Sequence, residues 1–307
     1  MTAPLRRLGF IGIGNMGWPM AANLLKAGFE VAVADARPGR AAQFAREIGG
    51  RAAHDAADAA KGAEAVITIL PTSAEVAEVM AAIKPALTPG VLVMEMSSGA
   101  PGVTKKLAEE LGGGVALIDC PVSGGVPRAR SGELAILAGG AAADLDRAGP
   151  VLRAMGTSIH HCGAVGAGQA MKALNNLVSA GGFLIGVEAL LIGQRFGLDP
   201  AQMVDVLNAS TGMNNSTQKK FRQFVLSRKF NSDFSLDLMA KDLSIALEVG
   251  RDGGIATPFA ALCREMWASA GAALGKGQDH TAMARFSELL AGGMLADAEM
   301  GDKPPEG

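Results

Sequence analysis

"LGFIGIGNMGWPMAANLLKAGFEVAVAD", residues 8–35, reads as four segments in order. The apolar run Leu8 to Ile13 has the length and composition of a buried strand, and a glycine turn follows it. A helical pattern then covers about Met16 to Ala27, and a second strand from Glu30 to Ala34 ends at Asp35. Gly12, Gly14 and Gly17 have G-x-G-x-x-G spacing, which permits a tight turn, close backbone approach to a pyrophosphate, and close packing of the helix. The helix N-terminus adds N–H donors and positive dipole. Such glycines alone serve any tight β–α turn. The strand before them, the helix after them and an acid at the end of the next strand, roughly 20 residues on, make the pattern specific for a dinucleotide. Gly12, Ile13, Gly14, Asn15, Met16 and Gly17 are therefore the expected cofactor loop. A carboxylate at Asp35 accepts hydrogen bonds from the adenine ribose hydroxyls and repels a 2′-phosphate, which favours NAD. Arg37 and Arg40 keep NADP possible, because a guanidinium swinging over the ribose would accept that phosphate.

Working outward, "AEAVITILPTSAEV" gives an apolar strand over Ala65 to Leu70 halted by Pro71, "GVLVMEMSS" another, and "VALIDCPVSGG" a third. "GELAILAGG" (132–140) adds one more, with helical or alanine-rich stretches between them. Strands alternating with helices imply right-handed crossovers and a mostly parallel sheet, with ligands outside the carboxyl ends of the strands. Leu70-Pro71-Thr72, Ser97-Ser98 and Pro121 to Gly125 stand at such ends. After about residue 164 strand signals cease and helical patterns such as "PAQMVDVLNAS" and "MAKDLSIALEVG" take over. The expected organisation is an α/β Rossmann domain over 1–164, an all-α domain over 165–295, and a disordered tail over 296–307.

Composition narrows the function. The chain has 307 residues, 49% hydrophobic, with a net charge of −2, which gives no reason to expect nucleic-acid binding. The N-terminal residues lack a long apolar run before a small-residue cleavage site, and no stretch reaches the roughly 18 uncharged apolar residues expected of a membrane span. Residues 173–193 come closest, but Asn175, Asn176 and Glu188 favour a buried interdomain or intersubunit helix. Three scattered cysteines, Cys120, Cys162 and Cys263, fit a reducing, cytoplasmic compartment. With no C-x-x-C, no H-E-x-x-H and only His160-His161 clustered, no metal site is expected. The absence of tyrosine excludes oxidoreductases that protonate a carbonyl from that side chain.

"GAGQAMKALNN", residues 166–176, opens a long apolar helical run. Lys172 and Asn176 are four apart and project from one face, with Asn175 beside them. An ordinary amphipathic helix would leave such a stripe in solvent.

The motifs "GFIGIGNMGWPMAANL", "ITILPTS", "DCPVSGGVPRARSGELAILAGG", "GAGQAMKALNN" and "DLMAKDL" occur in the order and approximate spacing of the β-hydroxyacid dehydrogenase family, which the chain resembles over about residues 7–292. The resemblance implies a Rossmann domain joined by a long interdomain helix to an all-α domain, with the active site in the cleft. It implies that Lys172 is the catalytic lysine and Asn176 its substrate-orienting partner, with Ser123, Gly124, Gly125 and Asn175 as substrate contacts. Lys241, Leu70, Pro71 and Ser98 match family positions beside the cofactor. The reaction implied is hydride transfer between NAD, or NADP, and the hydroxyl or semialdehyde of a small 3-hydroxy carboxylic acid. A homodimer or homotetramer is implied with it.

The residue chemistry is coherent with that. Oxidising an alcohol needs a base for the hydroxyl proton, and a lysine desolvated near a second cation such as Lys241 is poised for the role. Ser123 and the Gly124 and Gly125 amides suit a carboxylate. Arg128 and Arg130, Asp119 and the Asn214-Asn215-Ser216 segment are further candidates, each also readable as surface or capping residues; Asp242 reads as positioning Lys241 or as pairing on the helix surface, and the Asp279-His280 segment is given no catalytic role. A different reading of the fold is a cofactor-binding sensor or scaffold without chemistry. The presence of both Lys172 and Asn176 argues for the enzyme.

Overall fold

The computed structural model describes residues 5–295, so the tail expected over 296–307 lies outside the described residues. These residues form two compact units that divide between Lys172 and Ala173.

The first unit alternates strand and helix. In chain order it contains β1 (Arg7–Ile11), α1 (Gly17–Lys26), β2 (Glu30–Ala34), α2 (Arg40–Glu47), β3 (Arg51–Ala52), α3 (Ala56–Ala60), β4 (Ala65–Thr68) and α4 (Ser73–Ile83). There follow β5 (Leu92–Glu95), α5 (Pro101–Leu111), β6 (Ala116–Asp119), β7 (Val122–Ser123), α6 (Gly125–Ser131), β8 (Leu134–Gly139), α7 (Ala142–Met155) and β9 (Gly156–Gly163). The sheet order is β3-β2-β1-β4-β5-β6-β8-β7, with β9 on β8. The first six strands in that order are parallel, and β8 runs antiparallel to β6 and β7. Both faces of the parallel strands are covered, which is why they read as continuous apolar runs. Phe10, Val33, Ile67, Leu92, Met94 and Ile118 pack into one core, while the alternating Ile11, Ala34, Val66, Val93 and Leu117 pack into another on the opposite face.

The strands end sooner than the apolar runs suggest. The strand expected over 8–13 closes at Ile11 because Gly12 turns the backbone to φ 96°. The run to Leu70 closes at Thr68, although the Ile69 amide still donates to Ile11 O at 3.0 Å. The strand β9 has no counterpart in the sequence reading. Its residues Gly156 to Gly163 lie largely exposed beside β8 and carry Ser158, His160 and His161 in place of an apolar alternation.

A 30-residue helix, α8 (Ala167–Phe196), links the units. By length and composition alone it would cross a membrane, contrary to the expectation from the sequence, but more than half of its most apolar window is buried inside the protein. The second unit continues with α9 (Pro200–Asn208), α10 (Asn215–Lys219), a π-helical turn (Phe221–Leu226), α11 (Leu236–Asp252), α12 (Pro258–Leu274) and α13 (Met283–Ala291). Its core gathers Phe183, Val187 and Leu190 of α8 with Phe221, Leu243, Trp267 and Met283. Phe183 meets Phe221 edge-on, with ring centroids 5.4 Å apart.

Candidate active site

The glycine loop fills the switch point between β1 and β4, where the chain turns from building one side of the sheet to building the other. Its three glycines do different things. A Cβ at Gly12 would overlap the Ile69 carbonyl, and one at Gly17 would overlap the Gly12 carbonyl and lie 2.9 Å from Ile69 Cγ2. Those two positions close the turn and bring α1 against it. At Gly14 the nearest atom to a Cβ is Arg37 Nη2, 3.9 Å away, so this glycine keeps space open where a pyrophosphate must come close to the backbone. Asn15 is exposed, Gly14 and Met16 are half-buried, and no side chain caps the start of α1. The loop therefore fits a dinucleotide phosphate on backbone donors.

Asp35 ends β2 and grips this loop. Its Oδ2 accepts the Ile13 amide at 2.9 Å, and its Oδ1 accepts the Arg37 amide at 3.0 Å. The Arg37 guanidinium closes on both oxygens, at 2.7 and 2.9 Å, and also reaches Ile13 O at 3.1 Å. Burial works to raise the Asp35 carboxyl, but the hydrogen bonds and charge of Arg37 outweigh it and hold the group below its ordinary range. The same pairing raises Arg37. Arg40 donates to Ile13 O at 3.2 Å while its guanidinium lies 4.0 Å over the Trp18 ring. The expected ribose carboxylate is thus clasped by one of the two arginines expected to admit a 2′-phosphate.

Leu70 and Pro71 follow β4 at the same end of the sheet. The Leu70 amide donates to Ser97 Oγ at 2.9 Å, which joins this loop to the Ser97-Ser98 turn after β5. Thr72 caps α4 by accepting the Ala74 amide at 3.2 Å. Ser98 is half-buried, whereas Ser97 is buried and holds the loop. Ser123 ends β7, and Gly124 (φ 136°) and Gly125 (φ 67°) carry the turn into α6. Arg128 and Arg130 are exposed on α6.

On α8, Lys172 is 8% exposed and Asn176 6% exposed, so the polar stripe is not solvated. Asn175, one residue round the helix, is exposed and donates to Asn176 Oδ1 at 3.2 Å. Asn176 Nδ2 donates to Asp242 Oδ2 at 2.6 Å, and the other Asp242 oxygen lies 3.4 Å from Lys241 Nζ. Asp242, fully buried on α11, therefore orients the Asn176 amide and pairs with Lys241 at once. Asn214 caps α10 through the amides of Ser216 and Thr217 and reaches Gly182 O at 3.5 Å. Asp279 caps the turn bearing His280, whose ring lies against Trp267 and Phe234 in the core. Glu188 is exposed on α8.

Two buried polar residues of this region escaped the sequence reading: Glu95, inside the apolar run "VLVMEMSS", and Gln169, on the first turn of α8. A charged or amide side chain in an otherwise apolar element was the available signal, because burial there demands partners.

Residues 7–163 match the family described as the NAD binding domain of 6-phosphogluconate dehydrogenase, and residues 166–287 that described as NAD-binding of NADP-dependent 3-hydroxyisobutyrate dehydrogenase. The chain is 34% identical to 2-(hydroxymethyl)glutarate dehydrogenase of Eubacterium barkeri, over 93% of this chain and 96% of that protein. It is 38% identical to 3-hydroxyisobutyrate dehydrogenase of Pseudomonas aeruginosa, over 85% and 90% respectively. The structure of Mycobacterium tuberculosis 3-hydroxyisobutyrate dehydrogenase with L-serine superposes with a TM-score of 0.84 at 32% identity, covering 92% of this chain and 99% of that one. The chain belongs to the β-hydroxyacid dehydrogenase family of NAD(P)-dependent oxidoreductases.

Proposed function

We propose that the protein oxidises a small 2-substituted 3-hydroxypropanoate to its semialdehyde, or runs the reverse reduction, with Lys172 as general base and acid. The observation that carries this reading is the burial of Lys172 and Asn176, one turn apart on α8, with the Asn176 amide fixed by Asp242. A buried lysine one turn from a buried, oriented amide fits a reacting site. The names of the relatives support the substrate class, because 2-(hydroxymethyl)glutarate, 3-hydroxyisobutyrate and L-serine each carry a hydroxymethyl group on the carbon bearing a carboxylate.

The residues divide the work as follows. Nicotinamide, when bound, supplies the hydride acceptor or donor. Lys172 Nζ takes the substrate hydroxyl proton during oxidation and returns it to the carbonyl oxygen during reduction. Asn176 holds that oxygen without changing charge, and Asp242 keeps its amide aimed. Ser123 with the Gly124 and Gly125 amides donates to the substrate carboxylate, and Asn175 is a further substrate contact in this reading. Gly12, Ile13, Gly14, Asn15, Met16 and Gly17 hold the pyrophosphate, and Asp35 takes the adenine ribose with a preference for NAD. Leu70, Pro71 and Ser98 serve as further cofactor contacts in this reading, and Lys241 is assigned to the cofactor by the family match alone.

The assembly is a homodimer or homotetramer, in the cytoplasm. Met171, Val178, Ile185 and Ile192 recur every seven residues along α8 and are exposed, Val178 by 77% and Ile192 by 71%. A seam of that period suits a second helix of the same kind, and a second copy of this chain supplies one. Nicotinamide absorbance, followed with 3-hydroxyisobutyrate, 2-(hydroxymethyl)glutarate, L-serine, glycerate and 3-hydroxypropionate in turn, tests the substrate class. Turnover of at least one 2-substituted member is expected, and nucleotide binding without turnover of any would move the protein to a sensor or scaffold.

A further inference from the structure

The end of β5 holds a carboxylate where the fold asks for none. Glu95 follows Leu92, Val93 and Met94, is 1% exposed, and burial pushes its carboxyl up to about 7. Removing a carboxylate from water costs several kcal/mol, and an apolar residue of similar volume usually serves a core as well or better. Stability alone therefore does not account for it.

What Glu95 does is accept. Its Oε1 takes the Ser97 amide at 2.8 Å, the Ser97 hydroxyl also bonds to it, and its Oε2 takes the side-chain amide of Gln169. Ser97 Oγ accepts the Leu70 amide, so the carboxylate is one hydrogen bond removed from the Leu70-Pro71 loop. Gln169, 1% exposed, spends its remaining groups on the same turn: Nε2 donates to Ser97 O at 2.8 Å and Oε1 accepts the Gly99 amide at 2.8 Å. A second buried carboxylate fixes the backbone there. Asp119, at the end of β6, accepts the Gly166 amide at 2.7 Å and the Gln169 amide at 2.8 Å, where the positive end of α8 favours a negative charge. A Cβ at Gly168 would overlap Leu137 O and lie 2.8 Å from Asp119 Oδ2, so the helix start is seated directly on the sheet.

Gln169 lies three residues before Lys172 and on the same side of α8. We propose that Glu95 and Gln169 are positioning residues that lock the rotation and axial placement of the first turn of α8, and with it Lys172, to the loops after β4 and β5. The proposal rests on the reading of Lys172 as the proton-transfer group. A helix end held by backbone bonds to Asp119 alone keeps its place but can rock. The side-chain bonds of Gln169 remove that freedom, and a displacement of about 1 Å costs proton transfer about a hundredfold.

The test uses the full-length protein with Gln169→Met and Glu95→Gln, each normalised to folded sites by nucleotide titration. The first removes both arms of the amide at nearly constant volume, and the second replaces one acceptor oxygen by a donor. Expected is a loss of about tenfold or more in kcat, with KM and nucleotide Kd within about threefold of wild type. A structural role alone would lower the melting temperature and the folded fraction and leave kcat per site within about threefold, and that result overturns the proposal. If Gln169→Met does not fold, Glu95→Gln carries the same comparison, because its shape is unchanged. Lys172→Met is measured alongside: if it retains wild-type kcat, the lysine reading fails, and this is distinct from a normal kcat in the Gln169 and Glu95 variants beside an inactive Lys172→Met.

Discussion

Replacing Asp35 is predicted to exchange the preferred cofactor, and the structure sets a scale for the change. Both Asp35 oxygens are engaged, by the Ile13 and Arg37 amides and by two nitrogens of the Arg37 guanidinium. In the proposed reading the carboxylate accepts from the ribose diol of NAD, and a charged acceptor contributes at least about 1.5 kcal/mol. For NADP, the same carboxylate opposes a 2′-phosphate, by at least about 1 kcal/mol at the dielectric of water and more when partly shielded. Removing it also releases the Arg37 guanidinium from its two bonds to Asp35, while Arg40 keeps its bond to Ile13 O and its place over Trp18. The two effects together move the ratio of NAD to NADP affinity by at least about 2.5 kcal/mol, or roughly 60-fold toward NADP. Two variants separate charge from scaffold. Asp35→Asn keeps an acceptor for the Ile13 amide, while Asp35→Ser removes it. If the loop itself sags, both cofactors weaken equally and the ratio stays put, so the ratio is the readout. Binding of NADH and NADPH by fluorescence titration measures it. A ratio within about threefold of wild type in Asp35→Asn would refute the assignment of this carboxylate to the ribose.

The glycine loop offers a pair of opposite outcomes. Gly17→Ala drives a Cβ into the Gly12 carbonyl and is expected to abolish nucleotide binding and lower the melting temperature. Gly14→Ala has open space in the free protein and is expected to leave its stability within about 0.5 kcal/mol while weakening the nucleotide, as calorimetry with and without NAD will show. In the helical unit, burial and then the Lys220 charge hold His280 down to about 4 from 6.5, against the pull of Asp279. A folded pKa below the unfolded one gives stability that is complete above about 6.5 and is lost as the pH falls through about 4. Urea midpoints across that window should fall in wild type and flatten in His280→Gln, and equal slopes would remove His280 from the account.

The cofactor half was legible because its information is local. Gly12, Gly14, Gly17 and Asp35 lie within one β–α–β unit, and the chain itself fixes their spacing, so the sequence carries their arrangement. The apolar runs of β4, β5 and β6 were equally plain, since strands covered on both faces need no alternation to be read. The strand β9 was not, because it lies at the sheet margin and its Ser158, His160 and His161 break the pattern that marks a strand. Helical periodicity put Lys172 and Asn176 on one face and the family resemblance supplied their proposed role, but the residue that aims Asn176 was only half read. Asp242 was expected to serve Lys241 or the helix surface, and its bond to an amide 66 positions earlier is a tertiary fact. Glu95 and Gln169 show the same limit more sharply, being 74 residues apart and each a lone polar group in an apolar element. Their burial could be inferred from the sequence, but the partner could not. The Arg37 clasp over Asp35 lies between these cases: both residues were singled out in the sequence, while the closed arrangement depends on side-chain geometry.

Single-turnover hydride transfer tests the central claim most directly, measured on wild type and on Lys172→Met with NADH bound and a semialdehyde of the active substrate class. The variant is expected to bind NADH within about threefold of wild type and to lose at least about a hundredfold in the rate of transfer, the lower end of what a general acid contributes. A variant that transfers hydride at the wild-type rate would contradict it and remove Lys172 from the chemistry.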